Sequence, residues 1–213
     1  MTVQEMKTLP LIIFFILLAS YTQGQVCTHP DLSNTLVFKT TLRRLKQPDG
    51  TLDSCIIRLA ISNKLNQKPI QTISFSSNFL FASAFRQCRA VRSYLTGKNQ
   101  DAPVVDNDYG DLIVADFNFD GREDVAVKND SGGNGGPQYS YYLQTSSGKF
   151  ILNKFLTNEM QFFPCSINKT RRTLTTQVHA GVNGLGETVF RLDGATQQWR
   201  VVSRRVLPVN APQ

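Results

Sequence analysis

The chain has 213 residues, of which 41% are hydrophobic and 18% are charged, with 14 glycines and 9 prolines. This composition is too apolar for a disordered protein, and the length fits one globular domain better than a large multidomain enzyme. The two histidines, His29 and His179, lie far apart in the sequence. A histidine-rich metal site or a catalytic triad is therefore poorly supplied with residues.

The N-terminus has the pattern of a secretory signal peptide. Leu9–Ala19 is an apolar run behind a lysine, and small residues follow at Ser20 and Gly24. The run is too short to span a bilayer, which takes ~20 residues, but it matches the apolar core of a signal peptide. We expect residues 1–24 to be removed near Gly24 and residues 25–213 to form a single exported domain, periplasmic or secreted, without a membrane span. The alternative is a buried N-terminal strand.

The expected export determines how the cysteines are interpreted. In an oxidising compartment, four cysteines suggest two disulfides. The spacings contain no C-x-x-C pair, which argues against zinc, and they leave all three possible pairings open. Free buried thiols are the alternative. The candidates are Cys27, Cys55, Cys88 and Cys165.

Charge is divided unevenly along the chain, whose formal net charge is +7. The segment from Asp101 to Asp130 holds nine acidic residues and only two basic ones. Elsewhere the basic residues are scattered and form no long run interleaved with aromatic residues. We therefore expect no nucleic-acid partner, whereas the basic part of the chain is compatible with anionic glycans or acidic proteins.

Short alternating or β-branched runs separated by turn residues predict an all-β protein, an antiparallel β-sandwich. The predicted strands are 35–40, 55–61, 70–75, 112–115, 124–128, 139–144, 150–155, 174–178, 188–192 and 198–202. One segment, Asn78–Leu95, differs because its apolar residues recur near helical spacing and predict one short helix. These residues are Phe81, Phe85, Cys88 and Val91.

The motif that carries chemistry lies between two predicted strands. Side-chain oxygens stand at loop positions 1, 3, 5 and 9, which are Asp116, Asn118, Asp120 and Asp124. Ca²⁺ takes about 6–8 such hard oxygen ligands, and Arg122 at position 7 would add a backbone carbonyl. Position 12 is Val127 rather than the Glu of an EF-hand, and the flanks are strand-like. The pattern predicts a strand–loop–strand site for one structural Ca²⁺; an acidic hairpin without metal is the alternative.

Neighbouring residues extend this prediction in two directions. Phe117 and Phe119 alternate with the predicted ligands, so we expect them to point into the core. Asp106, Asp108 and Asp111 are further ligand candidates, although a solvated acidic hairpin is the preferred interpretation of these three residues.

The stretch V-A-D-F-N-F-D-G-R-E-D-V-A-V resembles the calcium loop of FG-GAP and VCBS-type repeats. Propellers built from such repeats need about four blades or more, whereas this chain has one copy. In size and layout the chain is closer to a group of small exported proteins with a single loop. That group includes periplasmic inhibitors of invertebrate-type lysozyme and an immunity protein against a secreted peptidoglycan hydrolase. The resemblance, strongest over Leu112–Phe155, implies an inhibitor of a lysozyme-like glycoside hydrolase.

The inhibitor group plugs the enzyme's catalytic cleft with a loop that carries a Ser-Gly pair and a nearby tyrosine. Ser131, Gly132 and Tyr139 resemble this arrangement, with a longer spacing. The resemblance therefore implies that these three residues bind the partner. A surface turn beside a structural tyrosine is the alternative.

Three classes of function are compatible with the sequence. An inhibitor is the preferred one, and a calcium-stabilised envelope- or glycan-binding module using Tyr139, Tyr141 and Tyr142 is the second. An enzyme is disfavoured because no nucleophile, zinc or nucleotide motif is visible, so we predict no catalytic residue. A net charge of +7 would not steer the protein toward a cationic hydrolase, so we expect an acidic or neutral target or a contact dominated by shape.

Overall fold

The computed structural model describes residues 25–45, 54–181 and 184–208. The predicted signal peptide, residues 1–24, lies outside the described residues. Nearly all regular structure in the described part is β-strand, which confirms the predicted all-β class. Within these ranges, no helix has the length and apolar character needed to cross a membrane.

The described strands follow one another closely along the chain. They are β1 (Gln25–His29), β2 (Leu36–Arg44), β3 (Cys55–Asn63), β4 (Pro69–Ser77), β5 (Val91–Ser93), β6 (Leu112–Ala115), β7 (Asp124–Asp130), β8 (Gln138–Gln144), β9 (Phe150–Leu152), β10 (Ser166–Asn168), β11 (Thr173–His179), β12 (Gly184–Leu192) and β13 (Trp199–Pro208). A single π-helical turn, Leu156–Met160, lies between β9 and β10.

The strands form three sheets, and within each sheet the spatial order is the chain order. β1 to β4 make the N-terminal sheet, β5 to β9 the central sheet, and β10 to β13 the C-terminal sheet. Every strand pair is antiparallel except β5 with β6, which is parallel. Most connections are therefore hairpins, which need only short turns.

The central sheet is covered on both faces. In β6, Leu112 and Val114 belong to a core shared with the N-terminal sheet, whereas Ile113 and Ala115 belong to a core shared with the C-terminal sheet. β7 alternates between the two cores in the same way. A strand buried on both faces reads as a continuous apolar run. This explains why Leu112–Ala115 has no polar position.

All ten predicted strands are confirmed, with ends shifted by a few residues. The strands that sequence reasoning missed are β1, β5 and β10. β5 and β10 have three residues each, too few to show an alternation, and β1 is mainly polar. Short strands of this kind depend on the partner strand rather than on their own pattern.

The predicted helix over Asn78–Leu95 is wrong: the segment forms turns and ends in β5. Phe85 has a φ of 56°, in the left-handed region that a right-handed helix excludes. The Arg44 guanidinium in β2 also captures carbonyls that a helix would bond internally. These carbonyls belong to Leu80, Phe81 and Ala84. Tertiary contacts therefore override the helical spacing.

One disulfide forms rather than the expected two. Cys27 in β1 is bonded to Cys88, which ties the first strand to the segment before β5. Cys55 and Cys165 are free thiols. Cys55 belongs to the core beneath the N-terminal sheet, whereas Cys165 precedes β10 of the C-terminal sheet. The central sheet separates the two, so they do not pair.

Candidate functional site

The predicted calcium loop connects β6 to β7, and its acceptor oxygens converge on one turn of backbone. Asp116 accepts two N–H bonds, from Asp120 at 3.0 Å and from Gly121 at 2.9 Å. The Asp120 N–H also lies 3.2 Å from Asn118 Oδ1, and the Asn118 amide donates to Asp120 Oδ2 at 2.7 Å. The side chains at loop positions 1, 3 and 5 are therefore brought together.

Asp124, at loop position 9, is fully buried behind this turn. Its Oδ2 accepts the N–H groups of Phe117 at 2.9 Å and Asn118 at 3.3 Å. Its Oδ1 accepts the N–H of Gln144 in β8 at 2.8 Å. Burial raises the pKa of the Asp124 carboxyl to about 7, although these N–H donors favour the ionised form. Asp124 thus anchors the loop to β8, and a cation beside the loop would favour its ionised form.

Arg122 was predicted to contribute its carbonyl, and its side chain also takes part in the loop. The guanidinium pairs with Asp120, and Nε donates to the Gln144 carbonyl at 3.0 Å. Across the described residues, no three side chains of the His, Cys, Asp or Glu type converge into a metal site. The loop's donor set instead combines carboxylate, amide and carbonyl oxygens, which are the hard donors that Ca²⁺ takes. The residues fit calcium by donor type.

Both loop phenylalanines contribute to the core shared with the C-terminal sheet, as predicted. Phe117 is fully buried and meets the Tyr141 ring edge-on, with centroids 5.1 Å apart. Phe119 is partly buried and lies 6.1 Å from the Trp199 ring. The loop is therefore seated on the core at the positions between its acceptor side chains.

The three further ligand candidates, Asp106, Asp108 and Asp111, do not join the loop. Lys128 Nζ lies 2.8 Å from both Asp108 oxygens and 2.9 Å from Asp111 Oδ1. The Lys128 and Asp111 side chains are only 5% and 6% exposed, so this pair is buried. Burial raises the pKa of the Asp111 carboxyl, and the Lys128 charge opposes that rise. Asp111 Oδ2 also accepts the Phe85 N–H at 2.8 Å, which anchors the segment before β5.

The glycine-rich stretch after β7 is held in one shape. The Ser131 N–H donates to the Phe79 carbonyl at 2.8 Å, and the Ser131 hydroxyl accepts the Phe81 N–H at 2.8 Å. The Gly132 N–H donates to Asp130 Oδ1. Gly132 has a φ of +64°, and a Cβ there would lie 1.9 Å from the Gly136 carbonyl oxygen. Only glycine fits that position, and the stretch is a folded loop rather than a loose turn.

Tyr139 lies in the core, which removes it from the predicted contact surface. The side chain is fully buried, with its ring 5.8 Å from that of Phe163. Its hydroxyl donates to the Gly110 carbonyl at 3.1 Å and accepts the Tyr109 N–H at 3.3 Å. β8 belongs to the sheet that is covered on both faces, so its aromatic residues point inward. The alternative interpretation, a structural tyrosine, describes this residue.

Sequence reasoning missed two exposed aromatic residues beside the glycine-rich loop. Phe79 is 65% exposed and Phe81 is 59% exposed, and both lie on the segment hydrogen-bonded to Ser131. We call Phe79, Phe81 and residues 131–136 the two-loop surface. The exposure of Phe81 could not be predicted from the sequence, because Phe81 was one of the apolar residues that the spacing placed on the buried face of a helix.

Comparisons with known proteins give one structural likeness. No family model matches the chain, and no curated protein matches it. A solved chain described as "Structure of a Xanthomonas Type IV Secretion System related protein" aligns with a TM-score of 0.57 and 16% identity, covering 89% of this chain and 85% of that chain. At this identity the likeness shows a shared fold alone.

The burial of Tyr139 predicts that its substitution affects folding. Tyr139→Phe removes both hydroxyl hydrogen bonds and should lower the free energy of unfolding by about 1–2 kcal/mol. Tyr139→Ala empties a core position and should lower it by about 3–5 kcal/mol. Urea unfolding of the two variants measures both values. Losses within about 0.5 kcal/mol for both variants, as for a surface residue, would contradict the core assignment.

Proposed function

We propose that the protein is an exported inhibitor that binds a lysozyme-like peptidoglycan hydrolase through the two-loop surface. The observation that carries this proposal is the pair of hydrogen bonds made by Ser131, which joins the glycine-rich loop to the segment of the exposed Phe79 and Phe81. Two aromatic side chains more than half exposed on one segment are typical of a protein-binding site, where aromatic anchors carry much of the affinity.

The shape of the loop suits a narrow enzyme cleft. Its fold leaves little entropy to lose on binding, because the Ser131, Gly132 and Gly136 backbone bonds already fix it. The catalytic carboxylates of glycoside hydrolases lie about 5–10 Å apart, which a glycine-rich backbone can enter more easily than bulky side chains. Ser131 and Gly132 keep the role proposed for them, and Phe81 takes the place of Tyr139 as the aromatic contact.

The glycan-binding alternative is weakened by burial. It rested on the basic part of the chain and on Tyr139, Tyr141 and Tyr142, and these three side chains are 0%, 0% and 8% exposed. Phe79 and Phe81 are the large aromatic residues that the described surface offers instead, and they lie on the segment hydrogen-bonded to the glycine-rich loop. This arrangement favours a protein partner.

Calcium is proposed as a structural ion of the β6–β7 loop. Asp116, Asn118 and Asp120 would hold the ion with side-chain oxygens, and Arg122 would hold it with its backbone carbonyl. Asp124, the remaining predicted ligand, accepts N–H groups of Phe117, Asn118 and Gln144 and would fix the shape of the loop around the ion. The ion would neutralise carboxylates that only one guanidinium compensates in the described structure. Export is supported by the Cys27–Cys88 disulfide, because disulfides persist in oxidising compartments.

Calcium binding should raise the thermal midpoint. At a free Ca²⁺ concentration about 100 times its Kd, the gain is ~2.7 kcal/mol, or roughly 5–10 °C for a chain of this size. Asp120→Asn should lose most of this shift because one anionic ligand becomes neutral. Asp101→Asn, an exposed acid outside the loop, is the matched control. Melting in calcium and in chelator measures the shift, and an unchanged shift in Asp120→Asn would contradict the site.

Inhibition should depend on Phe81. The mature protein is assayed against several lysozymes and other peptidoglycan hydrolases by clearing of peptidoglycan suspensions, in calcium. We expect stoichiometric inhibition of at least one enzyme. Phe81→Ala should weaken it about tenfold or more, as for an aromatic side chain that becomes buried when the complex forms. Leu65→Ala removes a side chain that is 94% exposed in the turn between β3 and β4 and should have no effect. Inhibition of no hydrolase, or equal effects of the two variants, would refute the proposal.

A further inference from the structure

A cleft of ≈ 780 Å³ opens beside the two-loop surface. Phe81, Val105 and Pro137 supply its apolar wall, and Ser131–Gly133 supply part of its backbone wall. Phe81 and Val105 are 59% and 68% exposed, so these apolar groups face solvent at the rim. The volume is that of a ligand site, and apolar walls with a few polar groups are its usual lining.

The charged groups of the cleft leave a surplus of negative charge. Lys128 also lines the cleft, but its ammonium is held between Asp108 and the buried Asp111, so its charge is already matched. The Asp106 carboxylate has no hydrogen bond or ion pair with any residue that the structure describes. Asp108 is 45% exposed and shares the Lys128 ammonium with Asp111. The cleft is therefore acidic, although the chain as a whole carries +7.

The backbone holds Asp106 at the cleft in a fixed position. Asp106 and Asn107 have φ values of 51° and 59°, so the chain turns sharply there. The Asn107 amide then donates to the Gly135 carbonyl at 3.0 Å and to the Gln177 carbonyl at 2.9 Å. A Cβ at Gly136 would lie 2.4 Å from the Asp106 carbonyl oxygen. Asp106 is thus packed against the glycine-rich loop itself.

We propose that this cleft receives an arginine or lysine side chain of the protein partner. Asp106 and Asp108 pair with the cationic group, and the exposed Phe81 ring packs against its stem or its guanidinium plane. This inference rests on the proposed function in one respect, namely that the partner is a protein. It adds that the partner presents a basic residue next to the part that meets the two-loop surface. A basic protein can therefore bind a basic hydrolase, because the contact itself is of opposite charge.

The test uses an arginine peptide and its neutral isostere. The mature protein, labelled with ¹⁵N, is titrated at millimolar concentration with acetyl-Gly-Arg-Gly-amide or with the citrulline analogue, and amide shifts are followed. We expect saturable shifts at Phe81, Asp106 and Asn134 with the arginine peptide, and much weaker ones with citrulline. Asp106→Asn should weaken arginine binding by about three- to fivefold, the range of an exposed ion pair. Asp101→Asn should leave it unchanged.

Two results would overturn the assignment. Equal shifts of the wild-type protein with the arginine and citrulline peptides would remove the role of charge. Shifts of the same amides by an N-acetylglucosamine trimer, without an arginine response, would assign the cleft to a glycan. Arginine binding without inhibition of any hydrolase would support the cleft while refuting the proposed target, so the two failures are distinguishable.

Discussion

The buried ion pair between Lys128 and Asp111 positions both sides of the candidate contact region. Lys128 lies in β7 of the central sheet, and the ammonium also binds Asp108 in the segment before β6. Asp111 Oδ2 accepts the Phe85 N–H, which anchors the segment that carries Phe79 and Phe81. Removing one partner of a buried pair costs about 3–5 kcal/mol because the other charge is left uncompensated. The geometry of cleft and loops therefore depends on this pair.

The three-sheet arrangement explains why the proposed contact residues lie outside the strands. The central sheet faces a core on each side, so its inward residues in β6, β7 and β8 are used for packing. The loops that connect the strands of the central sheet can carry exposed groups. The loop between β6 and β7 is packed on the core through Phe117, and the glycine-rich loop between β7 and β8 is hydrogen-bonded to the segment before β5 through Ser131.

The local pattern was enough to predict most strands and the strand–loop–strand arrangement of β6 and β7, since alternation and loop spacing are properties of neighbouring residues. It could not predict that the central sheet is covered twice, and so Tyr139 was assigned to a surface when it lies in a core. The helix predicted over Asn78–Leu95 was wrong for a related reason. Its helical spacing is real, but the Arg44 guanidinium and the Cys27–Cys88 disulfide hold the backbone in turns. The position of Phe81 depends on long-range contacts of this kind, which the local pattern does not show.

Hydrogen exchange in the Lys128→Met variant tests most directly whether the buried pair fixes the contact region. We predict exchange about tenfold faster in residues 79–90, 105–111 and 131–137, with the amides of β11 and β12 still protected, because only the anchored segments lose their common cation. Lys98→Met, which removes the exposed pair with Asp31, should leave exchange in these segments unchanged. Unchanged exchange in the three segments of Lys128→Met, or an equal rise throughout all three sheets, would contradict a local anchoring role.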